Sequence, residues 1–470
     1  MNETIFYLAD KFIKNRAIIY MISVMLVVLY LVMDFDISIP FFIIFWLIIG
    51  NLIISISFTT ENIHISRMIF YATFFTYLGF MVLTHLLYID NPFTTYFYVP
   101  DSAGYYNKIY QISQSGKYNG PGLLDLNNIN VTTHGTGLYY LSWVIGRISY
   151  AIGGSNSLVI HKIVVVWCVS LSNVFLYNTS RYFLDKKKSK IIALTYGLFS
   201  YSLLFSTLFL RDLHVALFIT IGFYIVLGSF KIKNLIILIL LAVITFTFRP
   251  THAIFYGLLI VFYIYLLLKK YKFFVIVFSV ILLLAFIRLG ISSQYSENLI
   301  ERSQTYSKFH AEREAEAGGA AKLYGFLPSF LHPPTRIIQS QINPFSLFSV
   351  SIVSKGNVNA GQSQYLTYAG SIADFFWFVI WMIIIYGMSR KHIRKSIPNN
   401  LFYAFSLAMV LLILAGFSSF DMRRLLGVYP IIYLTAIVIL FNFTKDNRKV
   451  IVNTAVVIFL SLGILLKFIF

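Results

Sequence analysis

Apolar stretches about 18 or more residues long recur from one end of the chain to the other, and each is long enough to cross a hydrocarbon core of roughly 30 Å as a helix. They fall near residues 17–34, 38–57, 68–88, 157–179, 190–210, 213–230, 234–248, 251–268, 273–289, 371–388, 400–417, 425–442 and 450–469, which makes thirteen. The expected fold class is therefore an all-α polytopic membrane protein with about thirteen spans. Composition agrees: 58% of the 470 residues are apolar, 12% are charged and mean hydropathy is +0.78, too apolar for a soluble globule. The first stretch follows Lys11, Lys14 and Arg16 but ends in no small-residue cleavage site, so it reads as a retained span.

The net charge of +19 would point to nucleic acid in a soluble protein. Here the excess collects in short loops, such as Lys186, Lys187, Lys188 and Lys190, or Arg390, Lys391, Arg394 and Lys395. Cytoplasmic loops of membrane proteins carry that bias, so no nucleic-acid partner is expected. The single cysteine, Cys168, sits in an apolar run, which excludes a disulfide framework and a cysteine metal site.

A fourteenth apolar stretch, 135–152, decides the topology. With the N-terminus inside, residues 88–134 fall outside after three crossings. A fourth crossing by 135–152 would put the lysines after Arg181 outside. If 135–152 instead lies along the outer surface, the loops carrying Lys231 and Lys233, Lys269, Lys270 and Lys272, Arg390 to Lys395, and Lys445 to Lys449 all fall inside. Ser142, Gly146, Ser149 and Gly153 form a small polar stripe at helical spacing, while Tyr139, Tyr140, Trp143 and Tyr150 suit the headgroup level. The competing reading is a span that grips its neighbours through those small residues.

Two outer polar segments result, 88–156 and 289–370. In the first, YFYVPDSAGYYNKI places Asp101 four residues before Tyr105. Asp101 or Ser102 could simply cap a helix. The functional reading is a carboxylate beside the membrane that accepts a proton from a hydroxyl or holds a metal ion. Outer turns add LFLRDLHVALF with Arg211, Asp212 and His214, FTFRPTHAIFY with Arg249 and His252, and SSFDMRRLLGVYP with Asp421, Arg423 and Arg424. The second outer segment offers Arg336, His310 and His332. Arg211 and Asp212 could pair locally, but convergent arginines at three turns match phosphate oxygens, so a lipid-linked phosphate or diphosphate is the natural ligand. No P-loop, GxGxxG, HExxH or CxxC is present.

The order of these elements resembles the C-type membrane glycosyltransferases, the GT-C superfamily: a span at 68–88, YVPDSAGYY, the surface stretch HGTGLYYLSWVIGRISYAIGGSNSLVIHK, then the basic RYFLDKKKSK. The resemblance covers roughly residues 68–370, with a large outer loop after seven spans. It divides the chain into two N-terminal spans at 1–67, a seven-helix core at 68–289 with its outer loop and interfacial helix at 89–156, the large loop at 290–370, and four spans at 371–470. Many family members carry two acids together where this chain has Asp101 and Ser102, which leaves metal use open; no cofactor is specified, and a divalent metal is compatible but not required. Asp101 with Tyr105, the Arg211 turn and RPTHAIFY are also similar to O-antigen and exopolysaccharide polymerases.

What the resemblance implies is a bacterial cytoplasmic-membrane glycosyltransferase with an extracytoplasmic site, taking a polyprenyl-phosphate- or diphosphate-linked sugar donor and a saccharide acceptor. Asp101 and Asp212 are then the candidate catalytic acids. Tyr105, Arg211, Arg249, His252, Arg336, Arg423 and Arg424 are the candidate phosphate or substrate ligands. A flippase for the same lipid-linked saccharide is the alternative, and its charges are expected around a midplane cavity.

Overall fold

The computed structural model describes residues 35–87, 100–114, 117–118, 136–228, 231–267, 360–418 and 425–469. Among them the regular structure is helical: α1 Ser38–Ser57, α2 Thr60–Leu87, α3 Pro100–Gln114, α4 Thr136–Ala151, α5 Leu158–Ser180, α6 Lys186–Phe199, α7 Tyr201–Phe205, α8 Arg211–Leu227, α9 Ile232–Phe248, α10 Pro250–Leu267, α11 Ala360–Ser389, α12 Lys391–Ser396, α13 Asn399–Ser418, α14 Tyr429–Phe441 and α15 Lys445–Ile469. Four contain stretches long and apolar enough to cross a membrane, Ser38–Ser57, Thr60–Thr84, Leu158–Ser180 and Ile372–Ser389, consistent with a helical membrane protein. Shorter apolar helices accompany them at Ile232–Phe248, Phe255–Leu267, Asn399–Ile413 and Tyr429–Phe441. The expected spans at 17–34 and 273–289 lie outside the described residues.

Helix α5 is the central post, buried along nearly its whole length between α1, α2, α6 and α8. Its polar side chains are paired inside the bundle, as groups removed from water must be. Asn173 donates to the Tyr77 hydroxyl at 2.7 Å, that hydroxyl donates to the Gly197 carbonyl at 2.8 Å, and Asn178 donates to Ser66 Oγ at 2.9 Å. By contrast the outward faces of α1, α9, α11 and α15 present Ile48, Leu240, Ile385 and Val457, the side chains acyl chains solvate.

Polar contacts sort the helix termini into two ends. At one end Arg181 and Lys186 lie 3.6 and 3.9 Å from Glu61, Tyr224 donates to the Ser57 carbonyl, and Asn442 donates to Ser396. Lys188 and Arg448 both lie over the Phe441 ring there. At the opposite end α4 lies across the bundle. Its first residue, Thr136, donates to the Thr247 carbonyl at the finish of α9, and beyond its last turn the Ser155 amide donates to Asp36, just before α1. Both termini of α4 therefore meet the same end of the bundle. Its small stripe does grip neighbours: Ser142, Gly146 and Ser149 are buried, and a Cβ on Gly146 would lie 2.8 Å from Ser113 Oγ of α3.

The stop of α4 is built by Gly153 and Gly154. Gly153, at φ 78°, donates to the Tyr150 carbonyl and Gly154 donates to that of Ser149, closing a Schellman motif. The turned chain then meets Asp36, which accepts from the Ser38 amide and hydroxyl at 2.9 and 2.6 Å and from the Ser155 hydroxyl.

The stretch expected as one span at 190–210 is broken. Ser200 is extended (φ −101°, ψ 173°), and its hydroxyl accepts from the Ser202 amide, restarting the chain as the one-turn α7. Ser206 and Thr207 then donate to the Leu203 and Leu204 carbonyls, and residues 208–210 are not helical. Local hydroxyl bonds compete here with the helix ladder. Such backbone is tolerable at this depth only inside protein, and Leu208, Phe209 and Leu210 are buried.

Candidate functional site

The broken segment delivers Arg211 and Asp212 into the first turn of α8, with Leu210 extended before them. An acid there is favoured by the unpaired amides and dipole of a helix N-terminus. Arg249 comes from the link between α9 and α10, and Pro250 explains its geometry. The residue before a proline avoids the helical region, and Arg249 is extended (φ −156°, ψ 97°) while Pro250 starts α10. The Arg249 amide still donates to the Thr245 carbonyl at 2.7 Å, so the turn is tight. Its guanidinium forms an ion pair with Asp212, with side-chain exposures of only 7% and 4%. Asp212, a candidate catalytic acid in the sequence with local pairing to Arg211 as its alternative, is instead held by Arg249 in a buried turn.

Arg211 takes another direction. Its guanidinium lies 5.6 Å from the centre of the Tyr105 ring on α3, half-buried rather than sealed. Tyr105 meets Tyr139 of α4 edge to face at 5.9 Å, and Lys108 stands 5.3 Å over the Tyr139 ring. Two cations thus flank a tyrosine pair. Behind them His214 Nδ1 donates to the Leu210 carbonyl, 3.3 Å away, and the ring stacks on Phe248. His252 is buried in the first turn of α10 against Phe255, and its amide donates to the Arg249 carbonyl.

Of the residues singled out in the sequence, Asp212 with Arg249 and Arg211 with Tyr105 are brought together, and His252 sits on the same turn as Arg249. Asp101 is in the first turn of α3, four residues ahead of Tyr105; its side chain lies outside the described residues, as do Arg336, Arg423 and Arg424. Among the described residues no three His, Cys, Asp or Glu side chains gather as a metal site. No family model, curated protein or solved structure matches this chain. The resemblance to the GT-C superfamily thus rests on the order of sequence elements.

One buried carboxylate escaped the sequence reading. Asp374, fully buried in α11, accepts from the Tyr201 hydroxyl at 2.5 Å among Trp377 and Tyr429. A lone aspartate inside an apolar run was the available signal. His161 is buried as a core residue, its Nε2 2.8 Å from Asn156 Oδ1 and its ring against Phe209.

Proposed function

We propose that the protein is an integral-membrane glycosyltransferase of the GT-C type, acting on a polyprenyl-phosphate- or diphosphate-linked sugar or oligosaccharide at the extracytoplasmic face of a bacterial cytoplasmic membrane. In surface-polysaccharide assembly such a transfer hands on one sugar or joins repeat units. The observation that carries this reading is the meeting of Arg211, Arg249 and Asp212 with Tyr105 at the bundle end across which α4 lies, opposite the basic loops. By the loop-charge rule that end faces away from the cytoplasm.

In the proposed reaction an acceptor hydroxyl oxygen bonds to the anomeric carbon of the donor, and the bond from that carbon to the phosphate oxygen breaks. The hydroxyl proton passes to the Asp101 carboxylate, one turn before Tyr105. The lipid phosphate leaves with the bonding pair, and Arg211, half-open over Tyr105, stabilises its charge. Asp212 holds Arg249 in place behind it rather than assisting Asp101. Arg336, Arg423 and Arg424 would add further cations to the leaving group.

The test uses purified protein in proteoliposomes with labelled lipid-linked saccharide extracted from the source cells. The expected result is a longer or transferred saccharide and free lipid phosphate, with Asp101→Asn folded but inactive. Saccharide that changes side while staying chemically intact would replace this reading with a flippase. Wild-type transfer by Asp101→Asn would remove Asp101 from the site.

A further inference from the structure

At the end of the bundle opposite α4, three basic segments from distant parts of the chain come together. Residues 185–190, 390–396 and 445–449 carry eleven lysines and arginines against two acids, Asp185 and Asp446, so the surface they form is strongly cationic. They meet at the finish of α14. Lys188 of α6 and Arg448 of α15 stand over the Phe441 ring at 5.2 and 5.5 Å. Arg448 Nε and Nη2 donate to the Phe443 and Phe441 carbonyls at 3.0 and 2.9 Å, which orients the guanidinium and leaves its Nη1 donors open among the described residues. Lys188 also faces Asp185 at 3.0 Å, with the two side chains 42% and 53% exposed, a surface pair that is weakly held. A second cationic group is tied to the first. Asn442 donates to Ser396 Oγ at 2.9 Å and so holds α12 beside the end of α14, with Arg394 and Lys395 exposed and Ile393 buried beneath them. Phe443 meets the Tyr386 ring at 5.4 Å, and Arg390 lies 5.1 Å over that ring. Immediately past their lysines, α6 and α15 expose the apolar side chains Ile191 and Val450.

We infer that this surface is a docking site for an anionic membrane phospholipid whose headgroup carries two phosphates, one against Lys188 and Arg448 and the other against Arg390, Arg394 and Lys395. The loop-charge rule asks only that cations lie on one side of the membrane. It does not bring two of them to one ring, nor tie two groups together through a single amide. A guanidinium anchored by its Nε and Nη2 presents its remaining donors, already oriented, to phosphate oxygens. A single phosphate would meet one group and leave the other as uncompensated like charge. Ile191 and Val450, exposed next to the lysines, suit acyl chains, which a nucleotide or an acidic protein does not bring. Basic surfaces between helices on the cytoplasmic side are where such headgroups are held. The site stands apart from the transferase reading, since it lies at the end of the bundle away from Arg211 and Asp212.

Native mass spectrometry of the purified full-length protein in detergent, titrated separately with diphosphatidylglycerol, phosphatidylglycerol and phosphatidylcholine, tests it. Diphosphatidylglycerol should be retained about tenfold more tightly than either of the others. Lys188→Gln with Lys395→Gln, one cation from each group, should weaken that retention about tenfold, as expected for losing charge-assisted contacts. Lys231→Gln with Lys233→Gln removes equal charge from exposed positions at the start of α9 and should change it less than about twofold. Equal retention of the three lipids by the wild-type protein would overturn the site before any variant is made. Phosphatidylglycerol held as tightly as diphosphatidylglycerol would overturn the two-phosphate assignment. Equal loss in the two double variants would show diffuse charge in place of a site, and displacement of the lipid by inorganic pyrophosphate at equal concentration would replace it with a soluble anion.

Discussion

Replacing Asp212 by alanine strips the partner from a guanidinium that has almost no water to return to. Both side chains of the pair are over nine-tenths buried, so Arg249 would lose its buried carboxylate partner where little water can replace it. Breaking such a pair from one side costs about 3–5 kcal/mol. At roughly 2 °C per kcal/mol for a large cooperative unit, the thermal midpoint of the detergent-solubilised protein should fall by about 6–10 °C. Asp212→Asn keeps an acceptor for the guanidinium and should lose less. The informative construction is the double replacement Asp212→Leu with Arg249→Met, which removes both charges and fills similar volume. Exchanging a buried pair for apolar side chains is often neutral or stabilising, so this variant should return to near the wild-type midpoint. Transfer from lipid-linked saccharide should nevertheless stay lost in it, because Arg249 is a cation of the proposed site and not only a prop. An unchanged midpoint in Asp212→Ala, or a double variant as unstable as the single one, would refute the buried pair. Full transfer by a stable double variant would refute the role in catalysis.

Other consequences are as direct. Cys168 is buried in α5, so it gives little background in thiol labelling; Arg147→Cys should react with an impermeant reagent applied outside the cell and Lys188→Cys only after permeabilisation, and the opposite pattern would invert the topology. Gly154→Ala would bring a Cβ to 2.5 Å from that of Ser38 and 2.8 Å from Asp36 Oδ1, so the knot at Asp36 should loosen at a cost of about 1–3 kcal/mol, read as a lower unfolding midpoint. Tyr201→Phe removes the hydroxyl that donates to the buried Asp374 carboxyl and should cost about 1–3 kcal/mol, with no loss if that bond is absent in solution.

The helical class was legible because it depends on sums, the runs of apolar residues. The helix at 136–151 was legible in its periodicity, and its buried Ser142, Gly146 and Ser149 pack against neighbours as one reading of that small stripe had it. What the sums could not show was continuity. The run 190–210 is apolar enough for a span, yet Ser200, Ser206 and Thr207 carry hydroxyls that satisfy the backbone locally, and the helix breaks. Hydropathy averages over those three residues and misses them. The partner of Asp212 was hidden for a related reason. Adjacent residues on a helix point apart, so Arg211 turns to Tyr105 while Asp212 turns inward to an arginine 37 positions later.

That break also accounts for where the cations gather. A continuous helix through 190–210 would have carried Arg211 and Asp212 out past the bundle end as an ordinary polar turn. Because the chain instead runs irregularly through buried Leu208, Phe209 and Leu210, α8 restarts with its first turn under α3 and α4. The second half of the device is Pro250, which holds Arg249 extended so that it reaches the same turn. Neither Arg211 nor Arg249 could arrive there from a regular helix hairpin. The irregular backbone, covered by protein, is therefore the structural reason that Asp212 meets Arg249 and Arg211 meets Tyr105.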